Sequence, residues 1–126
     1  MSQASDRRDS HRIFLRPGFG ISFTLKGYAY HDVRITNLSP AGCFALVGVR
    51  AARLFERGAL LEGLLLLHPE LPKAPILATV VYVLGARPSG DPLSMTGIGI
   101  QFLGMDEGAQ RALDTWLCAA KIAQQA

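Results

Sequence analysis

The chain has 126 residues, 49% of them hydrophobic, 8% aromatic and 18% charged, proportions that suit one ordinary globular domain and exclude a largely disordered chain. At this length folding buries about two thirds of the surface the unfolded chain exposes, so a core needs neither disulfides nor a structural metal, and two full domains do not fit. Thirteen Lys and Arg against ten Asp and Glu leave a net charge of +3, and no apolar run reaches the roughly 20 residues a helix needs to cross a bilayer.

The first segment is polar and basic. Arg7, Arg8, Arg12 and Arg16 crowd the first 16 residues, offset only by Asp6 and Asp9, so residues 1–18 are expected to form a flexible cationic arm. No apolar stretch of signal-peptide length follows it, and a cytoplasmic address is the expectation. Arginine dominates the cations throughout, Lys supplying only Lys26, Lys73 and Lys121. Its planar fork matches phosphate oxygens and the Hoogsteen edge of guanine, which a lysine ammonium does not, so the bias points towards an anionic or nucleotide partner unless it reflects codon usage alone.

From residue 19 to 104 the apolar pattern is of period two or continuous over short runs, with Gly and Pro between them, the signature of strands. Strands are predicted near Phe19 to Leu25, Tyr30 to Thr36, Gly42 to Val47, Leu60 to Leu67, Ile76 to Leu84 and Thr96 to Leu103. Gly27 marks a tight turn between the first two, and Gly85 to Pro92 is a loop. Arg50 to Gly58 favours a short helical turn through Ala51, Ala52, Leu54 and Phe55. Six antiparallel strands in so short a chain leave exposed edges, and curling into a small barrel removes them.

After Gly104 the period changes. Ala109, Ala112, Leu113, Trp116, Leu117 and Ala120 recur at intervals of three and four, an amphipathic helix over residues 105–126 with Asp106 as N-cap. Trp116 and Leu117 are expected on the barrel, and Gln110, Asp114 and Lys121 on the opposite face. Cys43 and Cys118 lie 75 positions apart with no CxxC and no histidine at ligand spacing, so both read as small core residues rather than metal or redox groups. His11, His31 and His68 pair with no nucleophile, and no acid/base constellation is present, so no enzymatic activity is expected.

Two short motifs carry the functional reading. Arg8-Asp-Ser-His-Arg12 places two arginines four apart, with Arg7 before them. Asn37-Leu-Ser39-Pro-Ala-Gly42 lies where one strand ends and the next begins. In an extended segment Asn37 and Ser39 share a face, and Gly42 leaves room for a close approach by ligand or backbone. The same residues also make an ordinary turn, and a basic tail also makes an RxxxR.

Together the motifs resemble those of the PilZ domain family, bacterial receptors for cyclic di-GMP, which carry RxxxR in an N-terminal arm and [DN]xSxxG some 20 to 30 residues later. Gly97-Ile-Gly99-Ile-Gln-Phe102 resembles the family's late glycine-flanked strand. The resemblance implies a six-stranded antiparallel barrel with a flanking helix. It also implies cyclic di-GMP as ligand, with Arg8 and Arg12 on phosphates and Hoogsteen edges, Asn37 and Ser39 reading guanine, and Gly42 letting a base sit flat. Arg7 resembles the extra arginine that reaches a second ligand molecule in some members, and Tyr82 falls near a strand aromatic that many place beside the ligand; for both, a purely structural role stays open. Asn37 replaces the commoner Asp and removes a carboxylate acceptor.

The expectation is a receptor that signals to a downstream protein in motility, biofilm or chemotaxis control, the arm folding over the nucleotide. The alternatives are a PilZ-fold adaptor that binds a protein without nucleotide, and a small barrel that binds nucleic acid. The second lacks the interleaved surface aromatics of a stacking platform.

Overall fold

Alternating apolar and polar side chains from Gly20 onward suit strands with one face turned inward. The computed structural model describes residues 12–48, 54–84 and 95–125. It holds seven strands and a helix: β1 (Ile13–Phe14), β2 (Gly20–Leu25), β3 (Tyr28–Ser39), β4 (Gly42–Gly48), β5 (Leu60–Leu67), β6 (Ile76–Val83), β7 (Met95–Gly104) and α1 (Glu107–Gln125). Antiparallel pairing runs β2–β3–β4–β7–β6–β5 and returns from β5 to β2, closing a six-stranded barrel. Closure leaves none of these six strands with a bare edge.

Two tight connections fix the register around the third strand. Lys26 (φ 51°) and Gly27 (φ 85°) both adopt left-handed conformations between β2 and β3, the geometry of a two-residue hairpin turn whose twist matches its strands. At the other end of β3, Ser39 pairs with Gly42 across Pro40 and Ala41.

The sheet begins earlier than expected. Residues 12–18 belong to the expected arm, but Ile13 and Phe14 pair with Leu38 and Asn37 of β3, and Ile13 is buried. The Leu15 N–H donates to the Thr36 carbonyl at 2.9 Å, and the Ile35 N–H to the Phe19 carbonyl at 3.2 Å. Leu15 and Phe19 therefore face consecutive residues of β3, and Arg16-Pro17-Gly18 loops out between them. Pro17 has no N–H to leave unpaired, and Gly18 takes φ 109°. Residues 1–11, including Arg7, Arg8 and His11, lie outside the described residues, as do residues 50–53 of the expected helical turn and the expected loop over 85–92.

The barrel interior is filled by Ile21, Leu25, Ile35, Leu38, Leu61, Leu64, Leu66, Ile76, Val80 and Ile98, each almost wholly buried. Each such side chain contributes on the order of 1.5 to 3 kcal/mol of transfer free energy. Helix α1 closes over this core with Ala109, Leu113 and Leu117. Its start is capped as expected, Asp106 Oδ2 accepting from the Ala109 N–H at 3.2 Å. Trp116 packs beside Phe19 and His68, whose rings stack 4.1 Å apart, and its Nε1–H donates to Glu70 Oε1 at 2.8 Å. An indole that is half-buried and still hydrogen-bonded anchors the helix at both its apolar and polar ends.

Of the two cysteines expected in the core, Cys43 is buried but Cys118 is exposed. Position 118 follows Leu117 on the helix, one step off the apolar stripe, and faces away from the barrel. No described helix is long and apolar enough to cross a membrane.

Candidate functional site

Strand pairing arranges the outer face of the barrel into rows. Ile13 pairs with Leu38 and Phe14 with Asn37, and one further step of that register sets Arg12 opposite Ser39. Ile13 and Leu38 turn into the core, so by strand alternation Arg12, Phe14, Asn37 and Ser39 share the outer face. Across the next strands Ser39 pairs with Gly42, Gly42 with Gln101 and Gln101 with Thr79; Asn37 pairs with Phe44, Phe44 with Gly99 and Gly99 with Tyr82. One row is polar with a glycine at its centre. The other puts two aromatics either side of a glycine.

An open pocket lies over these rows, with Arg12, Asn37, Ser39, Gly42, Phe44, Tyr82 and Gln101 among its lining. The structure thus brings together five residues singled out in the sequence: Arg12, Asn37, Ser39, Gly42 and Tyr82. Arg7 and Arg8 lie outside the described residues. Phe44 and Gln101 were not singled out, because their place beside the motifs comes from the long-range pairing of β4 with β3 and β7.

Each residue holds its place for a local reason. Ser39 is only 4% exposed. Its hydroxyl donates to the Gly42 carbonyl and accepts from the Ala41 N–H, each at 3.3 Å, so the serine also staples the β3–β4 turn and keeps one acceptor lone pair for a ligand. Gly42 is required by backbone: a Cβ there would overlap the Ile100 carbonyl oxygen. Tyr82 packs its ring over Gly99 and lies 6.2 Å from the Phe44 ring, which itself covers Gly97, yet it remains 41% exposed.

The electrostatics are one-sided. Arg12 is the charged member of the lining, and among the described residues no carboxylate pairs with it; the ion pairs there are Lys26–Glu56 and Arg111–Glu107. Asn37 contributes amide groups without a negative charge. Cys43 lines the floor with its backbone while burial pushes its thiol up to about 12, which keeps it neutral. A half-buried guanidinium beside neutral donors and acceptors and two aromatic rings suits an anion that carries a planar heterocycle. Among the described residues no group of three His, Cys, Asp or Glu could hold a metal.

The family profile described as PilZ domain matches residues 6–118, and the chain belongs to that family. No curated protein matches it closely by sequence. Among solved structures it is similar to K. pneumonia MrkH in complex with c-di-GMP, with a TM-score of 0.72 and 21% identity over 90% of this chain and 52% of that one. It is also similar to the PilZ domain of YcgR from Escherichia coli with c-di-GMP, at TM-score 0.69 and 13% identity over 90% and 91%. Bacillus subtilis inhibitor of motility, MotI/DgrA, matches at TM-score 0.69 and 13% identity over 91% and 51%. The chain thus spans about half the length of MrkH and of MotI. These likenesses show the fold, a closed barrel with one C-terminal helix.

Proposed function

We propose that the chain is a non-enzymatic receptor for cyclic di-GMP, binding it over the pocket lined by Arg12 and by residues of β3, β4, β6 and β7. The observation that carries this reading is the convergence of Arg12, Asn37, Ser39 and Gly42 on one pocket, two motifs 24 residues apart in sequence meeting through the β1–β3 pairing. Membership of the PilZ family and the ligand named for MrkH and YcgR support the same choice.

In this reading the Arg12 guanidinium binds a phosphate and stacks on or hydrogen-bonds a guanine, while Asn37 and the remaining lone pair of Ser39 read the base edges. Arg8, four positions before Arg12 in RxxxR, engages the same dianion, and Arg7 reaches a second nucleotide. Charge-assisted bonds of this kind contribute on the order of 1.5 to 3 kcal/mol each. The occupied surface is then what a downstream protein recognises, with motility, biofilm or chemotaxis as the process controlled.

Isothermal titration of the chain with cyclic di-GMP tests the reading. Saturable binding is expected, weakened by about 2 to 5 kcal/mol in Arg8→Ala and in Arg12→Ala, the usual loss when one partner of a desolvated charge pair is removed. No heat of binding with the wild-type chain would reject the receptor role. Wild-type affinity in both variants would reject the arginine clamp.

A further inference from the structure

Gly42 adds no side chain to the outer face of the barrel, and a polar residue stands on either side of it. On β3 stand Ser39 and Asn37; on β7 stands Gln101, which pairs directly with Gly42. Adjacent strands lie about 4.8 Å apart, so Ser39 and Gln101, two strands apart, are separated by roughly 10 Å at the backbone with only a glycine between them. Side chains standing out from both strands can therefore converge on one edge of a base bound over the pocket. Gln101 is exposed and lines the pocket, and its side chain has no hydrogen-bond partner among the described residues, so its amide is available to a ligand. Both neighbours on its row, Gly42 and Thr79, carry too little side chain to cover it.

We infer that Gln101 is a specificity-determining residue of this pocket, its amide oxygen accepting from the exocyclic amino group of a guanine whose adjacent N1–H donates to Asn37. The inference rests on the receptor reading above and adds to it. Asn37 presents a single carbonyl oxygen where a carboxylate would present two, so one donor of that guanine edge is left over. Gln101 supplies that acceptor from the β7 side, and its own NH₂ remains free for a carbonyl or phosphate oxygen.

Inosine, which is guanosine without the exocyclic amino group, separates this role from a structural one. Titrations compare cyclic di-GMP with cyclic di-IMP on the wild-type chain, Gln101→Ala and Gln101→Glu. The wild-type chain is expected to prefer the guanine ligand by about 2- to 10-fold, the worth of one ordinary hydrogen bond. Gln101→Ala is expected to lose that preference by weakening the guanine ligand alone, and Gln101→Glu, which keeps the acceptor, to retain it. An unchanged preference in Gln101→Ala, with the wild-type chain binding normally, would overturn the role of Gln101 and leave the receptor reading intact. Failure of the wild-type chain to bind either ligand would overturn both.

Discussion

Tyr82 lies flat on Gly99: a Cβ at residue 99 would run into the ring at Cε2, Cζ and Cδ2. The aromatic wall of the pocket is therefore set by the absence of a side chain on the neighbouring strand. Because Tyr82 is partly exposed, its ring can swing outward, and Gly99→Ala should cost only about 1 kcal/mol of stability. The same variant should weaken ligand binding more than stability, since the displaced ring no longer lines the site. Thermal melts and titration on one preparation separate the two effects.

Gly42→Ala is the harsher change. There the added methyl meets the Ile100 carbonyl and the Gln101 Cα, backbone that cannot rotate away, so β4 and β7 must move apart. Urea unfolding should show a loss of at least about 2 kcal/mol, greater than for Gly99→Ala. Equal stability of the two variants would mean that the strands separate at little cost.

Ser39→Ala should act twice. Losing the donor to the Gly42 carbonyl and the acceptor for the Ala41 N–H should lower stability by about 1 kcal/mol. Ligand affinity should fall by a further 0.5 to 1.5 kcal/mol, about one ordinary hydrogen bond. Denaturant unfolding and fluorescence titration measure these independently, and unchanged affinity would assign the serine to the turn alone.

The cysteines should differ in reactivity. Near pH 8 a thiol reagent should modify Cys118 promptly in the native chain and Cys43 only on unfolding, because Cys118 is exposed and burial holds Cys43 protonated. The linkage has a definite sign. The folded thiol sits at about 12 against an ordinary value of 9.0, so the unfolded chain ionises first. The stability contributed by the neutral buried thiol is complete below pH 9 and is lost between about 9 and 12, at up to roughly 1 kcal/mol per pH unit. A Cys43→Ala variant should lack that alkaline decline, as seen in unfolding curves across the interval.

Strands with long alternating runs were legible from the residues alone. Leu60–Leu67 forms over the expected span, β2, β4 and β6 differ from expectation by a residue at one end, and β7 is longer by a residue at each end. Helix α1 was equally plain, since its apolar stripe and Asp106 cap are local features. Strand β1 was hidden because two residues, Ile13 and Phe14, carry no periodicity and become a strand only by meeting Leu38 and Asn37. Strand β3 runs on through Asn37 and Ser39 to the turn, because pairing with β4 overrides the turn preference of those residues. In the site, Arg12, Asn37 and Ser39 were visible as motifs. Gln101 and Phe44 were not, since nothing near them in sequence marks their register against Gly42 and Asn37. Gly42 was marked as special, but the contact that demands it, a carbonyl of β7, lies 58 positions away.

The most direct test of the account is an amide-resolved NMR titration with cyclic di-GMP. Saturable shifts should concentrate at Arg12, Asn37, Ser39, Gly42, Phe44 and Gln101, with the Lys26–Gly27 hairpin at the far end of β3 unmoved. Shifts centred on that hairpin, or none anywhere at saturating nucleotide, would contradict it.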